Sequence, residues 1–200
     1  MTGYEEELKK AVWVAHSLFD RGKTSGSSAN ISILLDGEIY ISASGTCFGT
    51  LKEEDFAIVS IEDGKNKNDK KPSKELPLHK IFYEKNPAVK AIVHTHSFYS
   101  VLMSCLEPDE NGILIPKYTP YLEMKVGEIK TVPYAPPGSP ALFEAFTRSA
   151  SSEIKGYLLK NHGLLVGDKD IMSAFYGAEE MEESARVAWY LRNSDAKTIQ

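Results

Sequence analysis

His94-Thr95-His96 closes the apolar run Ala91-Ile92-Val93. Such a run predicts a short buried strand. On an extended chain residues two apart point to the same side, so His94 and His96 can aim both imidazoles at one point where the strand ends. Neutral imidazole is a ligand for zinc and its neighbours. Two close histidines can equally be satisfied core or surface residues, so the pair needs company. His162 offers it, in the tight turn Asn161-His162-Gly163 between the apolar segments Gly156–Leu159 and Leu164–Val166. A turn at a sheet end is where a third imidazole could reach the same point, although spacing alone does not bring His162 to His94. Three nitrogens with a carboxylate or a water make a catalytic zinc site that keeps an exchangeable position.

Glu75 follows a polar turn, and three readings stay open for it: ligand, acid/base, or a surface glutamate where a helix starts, a place that favours acidic side chains. His79, one helical turn later, and His16 are read as structural. The small-residue turns Ser28-Ala29-Asn30, Ser44-Gly45 and Ser73 offer backbone N–H and hydroxyl donors, the equipment of a phosphate cradle; each alone is also an ordinary loop.

The elements that must position these groups can be read in order. Thr2-Gly3-Tyr4-Glu5 has the form of a capping box, followed by apolar residues at helical spacing from Leu8 to Phe19 and a stop at Gly22. Ile31–Leu35 and Glu38–Ser42 read as strands joined by the hairpin turn Asp36-Gly37. Thr50-Leu51-Lys52-Glu53 reads as a second capping box on a short helix, and Phe56–Ile61 as a strand. A helix over Leu76–Lys85 opens near Ser73 and ends at Asn86-Pro87. A short helix covers Phe98–Cys105, a proline-bearing excursion runs from Pro108 to Pro120, Pro140 begins a helix over 141–150, and a long helix over 170–193 closes the chain. Hairpins mixed with helices, without regular β-α-β alternation, predict an α/β fold with a mixed or mostly antiparallel sheet covered by helices. No dinucleotide or Walker pattern is present.

The 200 residues suit one domain, 1–200, with a sizeable core. With 23 Lys and Arg against 28 Asp and Glu, the net charge of −5 argues against a general nucleic-acid binder. The basic cluster Lys65–Lys71 is interrupted by Asn and Asp and reads as a solvated loop. No apolar run is long enough to cross a bilayer, and the N-terminal MTGYEEELKK is no secretory signal. Cys47 and Cys105 offer neither a disulfide framework nor a paired metal spacing. A cytoplasmic protein with reduced thiols is the expectation.

Taken in order, SSANIS, SASGTCFG, KPSKELPLH, IVHTHS and LLKNHGLL resemble the class II sugar-phosphate aldolases, a family that includes fuculose-phosphate and rhamnulose-phosphate aldolases, ribulose-phosphate 4-epimerase and the adducin head. The likeness runs from about Leu8 to Arg192, and its specificity lies in five segments in the right order. It implies a three-layer α/β/α sandwich on a mixed, mostly antiparallel sheet, assembled as a homotetramer with the metal near a subunit boundary. It implies that His94, His96 and His162 hold Zn2+, with Mn2+ or Co2+ as alternatives. Glu75 would be the acid/base and also a metal ligand before substrate arrives. Asn30, Ser44, Gly45 and Ser73 would line a phosphate pocket.

The chain departs from that pattern at Ala29, where glycine is common, at Ala43, where proline is frequent, and at Lys74, where many aldolases have a second serine. Lys74 is either a point charge for a phosphate or carboxylate or a solvent-facing lysine at a helix start. GTCFGTL, PSKE, VGEIKTVPYAPPGSPAL and the Tyr118-Thr119-Pro120-Tyr121 stretch are similar to the branch that decarboxylates 3-oxotetronate 4-phosphate. That likeness implies a small phosphorylated sugar-acid substrate and a dihydroxyacetone phosphate product, formed through an enediolate whose charge the zinc would take up. Lys74 and Tyr121 are then expected around the leaving group. A class II aldolase acting on a ketose 1-phosphate such as fuculose 1-phosphate is the alternative. A non-catalytic adducin-like module is the opposing class, and it predicts loss of ligands that are all present.

Overall fold

Asp36 and Gly37 both take positive φ, 47° and 79°, the backbone of the tight hairpin turn that an Asp-Gly pair favours. Around this turn β1 (Asn30–Leu35) returns as β2 (Glu38–Ser42). The computed structural model describes residues 3–109 and 112–199; the capping residue expected at Thr2 lies outside them. The helix it was to open is α1 (Gly3–Asp20), which precedes the hairpin, and β3 (Phe56–Ser60) follows it. The chain continues through α2 (Leu76–Lys85), β4 (Ala91–Thr95), α3 (Phe98–Ser104), α4 (Tyr121–Lys125), β5 (Ile129–Val132), α5 (Pro140–Ser149), β6 (Gly156–Leu159), β7 (Gly163–Asp168) and α6 (Ile171–Leu191).

The strands form one sheet in the order β3-β2-β1-β4-β7-β6-β5. Every pairing is antiparallel except β5 with β6, so the sheet is mixed and mostly antiparallel, as expected. Alternation along the strands sends each residue set to its own layer. Ile31, Ile33, Ala91 and Val93 face a core shared with Leu18 of α1 and Phe175 and Met181 of α6. Ile39, Ile41 and Ile92 face a second core shared with Leu78 and Phe82 of α2 and Phe146 of α5. In that layer Phe82, Phe146 and Tyr157 meet edge to face with centroids 4.9–5.8 Å apart, the geometry aromatic quadrupoles prefer. The result is a three-layer α/β/α sandwich.

One local expectation is corrected. The helix at Thr50 is a pair of 3-10 turns, Phe48–Thr50 and Glu53–Asp55. The carboxylate that accepts a leading N–H there belongs to Asp55, from Lys52 at 3.0 Å. Thr50 ends the first turn and Glu53 begins the second, so the two do not share one helix. Directly after Pro120 the chain turns into α4.

Candidate metal centre

The site gathers where four segments end side by side. The register of β1 against β4 sets Asn30 opposite His94. The register of β4 against β7 sets Thr95 opposite Leu164, next to the β6–β7 turn that carries His162. Asn161 holds φ 54°, in the left-handed region that asparagine tolerates. A Cβ on Gly163 would meet the Thr95 carbonyl oxygen at 2.4 Å, so only glycine lets this turn close against β4. These constraints explain Asn-His-Gly: one residue shapes the turn, one carries the imidazole, one lets the strands touch.

The three imidazoles converge, with ring centroids 4.7–5.1 Å apart, and one ligand atom of each lies within 4.8 Å of the others. His94 Nδ1–H donates to the Leu164 carbonyl at 2.7 Å, which leaves its Nε2 with a free lone pair. The Nε2 atoms of His94, His96 and His162 are buried with no hydrogen-bond partner in the protein. Buried polar atoms are rarely left unpaired; three facing one another fit a bound cation. Burial, and then the neighbouring His94, push His96 down to about 4 and His162 down to about 3. Both are therefore neutral, the form that ligates.

Glu75 is the residue before α2 and only 3% exposed. Its side chain makes no capping hydrogen bond, so the surface reading of this glutamate fails. Its carboxylate turns inward, with Oε2 3.2 Å from His94 Nε2 and Oε1 3.3 Å from His162 Nε2. Burial works to raise this carboxyl; the hydrogen bond from the Asn30 amide works to lower it, as do His94 and His162 when they carry a proton. A divalent ion could be held by the three histidines, with Glu75 beside it as a further oxygen ligand.

The small-residue turns are arranged as follows. Ser44 N–H donates to the Lys71 carbonyl at 2.8 Å, and Ala43 bridges Pro72. The turn carrying Ser44 and Gly45 is thereby pinned beside the Ser73 segment, and both remain open to solvent or half-buried. Gly45 has φ 84°. Ser73 Oγ accepts from the Glu75 N–H at 3.3 Å. Asn30 is already engaged by its side chain: the amide nitrogen donates to Glu75 Oε2 at 3.0 Å and the oxygen meets His79 Nε2 at 2.5 Å. Lys74 runs over Gly138, where an added Cβ would meet Lys74 Cδ at 2.9 Å. Its charge also disfavours protonation of His96 and His162. Tyr121 stands exposed at the start of α4, and no described contact joins it to Glu75 or the histidines. Next to His96 and His162 opens a cavity of about 380 Å³ lined by Thr24, Ser25, Phe98 and Val101.

His16 is satisfied by the Leu51 carbonyl at 2.9 Å. Two supports escaped sequence reasoning. Glu182 of α6, 2% exposed, accepts from Tyr99 N–H, Ser100 N–H and Ser100 Oγ at 3.0, 2.8 and 2.7 Å. It thereby anchors α3 immediately after His96. Ser97 Oγ bonds Thr95 Oγ1 and donates to the Lys23 carbonyl. The only signal for Glu182 was an acidic residue on the apolar stripe of a long helix.

The fold is the one that the resemblance to class II sugar-phosphate aldolases implies, and at one end of its sheet three histidines and a glutamate meet. The model of the Class II Aldolase and Adducin N-terminal domain matches residues 9–189, and the chain belongs to that family. A 3-oxo-tetronate 4-phosphate decarboxylase of Haemophilus influenzae is 37% identical over 189 residues, 94% of this chain and 89% of that protein. An L-fuculose phosphate aldolase of Methanococcus maripaludis is 35% identical over 187 residues, 94% of this chain and 98% of that protein. The crystal structure of YgbL from Klebsiella pneumoniae matches with a TM-score of 0.92 at 35% identity, covering 98% of this chain and 94% of that one.

Proposed function

We propose that the chain is a metal-dependent carbon–carbon lyase that decarboxylates 3-oxotetronate 4-phosphate to dihydroxyacetone phosphate. The observation that carries this reading is the cluster of three buried Nε2 atoms, none with a hydrogen-bond partner, gathered around Glu75. It lies on a chain similar along nearly its whole length to proteins named for that reaction. Bound at His94, His96 and His162, a divalent ion, zinc in the first place, supplies Lewis-acid stabilisation for charge developing on the substrate's ketone oxygen.

The remaining work belongs to the chain's own residues. The substrate is a β-keto acid, so breaking its C1–C2 bond releases carbon dioxide and leaves the electron pair in an enediolate of dihydroxyacetone phosphate. One proton must then reach C2. Glu75 is the group placed to deliver it as a general acid, and because the reaction consumes a proton, Glu75 is recharged from solvent in each turnover. Asn30, Ser44, Gly45 and Ser73 line the pocket for the phosphate end and so position the reacting carbons. Lys74 meets the departing carboxylate as a point charge. Tyr121, exposed on α4, is assigned to the leaving-group side of a neighbouring subunit's pocket in a homotetramer. A cytoplasmic location accords with this metabolism; among the described residues no helix is long and apolar enough to cross a membrane.

A second reading, cleavage of a ketose 1-phosphate such as fuculose 1-phosphate, is favoured by the aldolase relative. It shares the metal, the enediolate and Glu75, and differs in needing a base for the departing aldehyde's hydroxyl. Zinc-loaded protein, assayed separately with the two substrates in an NADH-coupled assay for dihydroxyacetone phosphate, separates them. Product from the oxotetronate alone supports the decarboxylase; product from fuculose 1-phosphate alone overturns it in favour of the aldolase.

A further inference from the structure

We infer that His79, backed by Ser32 and Tyr83, is a positioning residue for Glu75: acting through Asn30, it fixes the carboxylate in one orientation between His94 and His162. The inference deepens the lyase reading and rests on it for what Glu75 does, but not for the geometry.

Four contacts run in series through buried groups. Tyr83 OH meets Ser32 Oγ at 2.7 Å, and Ser32 Oγ meets His79 Nδ1 at 2.7 Å. His79 Nε2 meets Asn30 Oδ1 at 2.5 Å, and Asn30 Nδ2 meets Glu75 Oε2 at 3.0 Å. The donors follow from side-chain chemistry when read back from the carboxylate. A carboxylate only accepts, so Asn30 presents its NH2 to Glu75 and keeps its oxygen for His79. That oxygen also only accepts, so His79 carries its proton on Nε2. Its Nδ1 then accepts the single hydrogen of Ser32, and Ser32 accepts from Tyr83. The series has one direction, and its last donor points at Glu75.

The sequence builds this series by two periodicities. Glu75, His79 and Tyr83 are spaced four apart along α2 and its leading residue, and so share a helix stripe. Asn30 and Ser32 are spaced two apart on β1 and share a strand face. The stripe lies on that face inside an otherwise apolar layer. Polar groups there destabilise unless each is paired, and here each is paired with the next until Glu75. A cluster that merely satisfied itself would not need an asparagine turned toward the carboxylate at its end.

Two arms test this in zinc-loaded protein. In protein labelled with nitrogen-15 histidine, with signals assigned by their loss in His79→Gln, His79 is expected as the neutral Nε2–H tautomer with a proton sheltered from exchange. The Nδ1–H tautomer would overturn the inference. In the kinetic arm, His79→Leu is expected to lower kcat about 10–100-fold, as outer-shell changes do, with KM and zinc content held. His79→Gln, which keeps a donor toward Asn30, is expected to restore most of it. Equal kcat in the wild type and His79→Leu, or equal losses in Leu and Gln variants, would overturn it. If His79→Leu does not fold, Tyr83→Phe removes only the far hydroxyl and is expected to lower kcat by a smaller factor; unchanged kcat there counts against the inference. A wild type silent on both sugar phosphates defeats the lyase reading, while the tautomer still decides the direction of the series.

Discussion

Asn30 stands directly opposite His94 across β1 and β4, and its amide donates to the same Glu75 oxygen that lies 3.2 Å from His94 Nε2. A strand register thus sets the distance between a proposed metal ligand and the proposed proton donor. Replacing Asn30 by alanine removes the donor and strands the His79 N–H. The expected result is a fall in kcat of about 10–100-fold with zinc retained, read by steady-state kinetics and metal analysis. Loss of zinc with unchanged kcat per bound zinc would put Asn30 in metal binding instead.

Removing a proposed ligand should act differently. His94→Ala takes away one of three converging nitrogens and leaves a gap between Glu75, His96 and His162 at the end of β4. The variant is expected to fold, with unchanged far-ultraviolet circular dichroism, and to lose metal affinity by more than the about 10–100-fold of an outer-shell change. Equilibrium dialysis against zinc reads this directly. Wild-type affinity would remove His94 from the centre.

Glu75→Gln keeps the shape of the side chain and removes its acid. Turnover is expected to drop about 10²–10⁴-fold, the range of a positioned general acid, while a phosphate-bearing product analogue still binds. Near-normal turnover would leave the proton donor elsewhere.

The buried imidazoles make the metal-free protein acid-sensitive, and the sign can be worked out. Burial, and then His94, hold His79 and His162 at about 3 and His96 at about 4, against about 6.5 in an unfolded chain. As pH falls below about 6.5 the unfolded state takes up protons first, so stability present above that pH is lost as pH falls toward 4 and 3. Urea unfolding of metal-free protein is expected to show a lower midpoint at pH 5 than at pH 7. An equal or higher midpoint at pH 5 contradicts the burial of neutral histidines.

Glu182→Ala leaves the two buried Ser100 donors and the half-buried Tyr99 N–H without their acceptor. Each such donor costs about 1–3 kcal/mol, so a destabilisation of at least about 2 kcal/mol is expected in urea, with Glu182→Gln losing less because it keeps one acceptor oxygen. Equal stability of all three proteins would mean that α3 is held by its apolar contacts alone.

What could be read from the sequence was local. Asp36-Gly37 announced its hairpin, alternation placed His94 and His96 on one side of β4, and Asn161-His162-Gly163 announced a turn at a strand end. The meeting of His162 with His94 depends on the pairing of β4 with β7, two strands far apart in the chain, and no local period encodes it. Thr50 and Glu53 matched a capping pattern, yet Asp55 closes that turn, because the short helix became two 3-10 turns. Ser32 is a polar residue at a core position of an apolar strand, and His79 and Tyr83 follow Glu75 at helical spacing. Those cues were visible singly; only the docking of α2 on β1 joins them.

The central claim, that a divalent ion at this cluster drives a decarboxylation, is tested most directly by titrating metal-free protein with Zn2+ while following dihydroxyacetone phosphate formed from 3-oxotetronate 4-phosphate. The rate should start near zero, rise in proportion to zinc and level off near one ion per chain, and the His94→Ala protein should not follow that curve. Full turnover before zinc is added, or saturation with zinc and no product, would contradict the account.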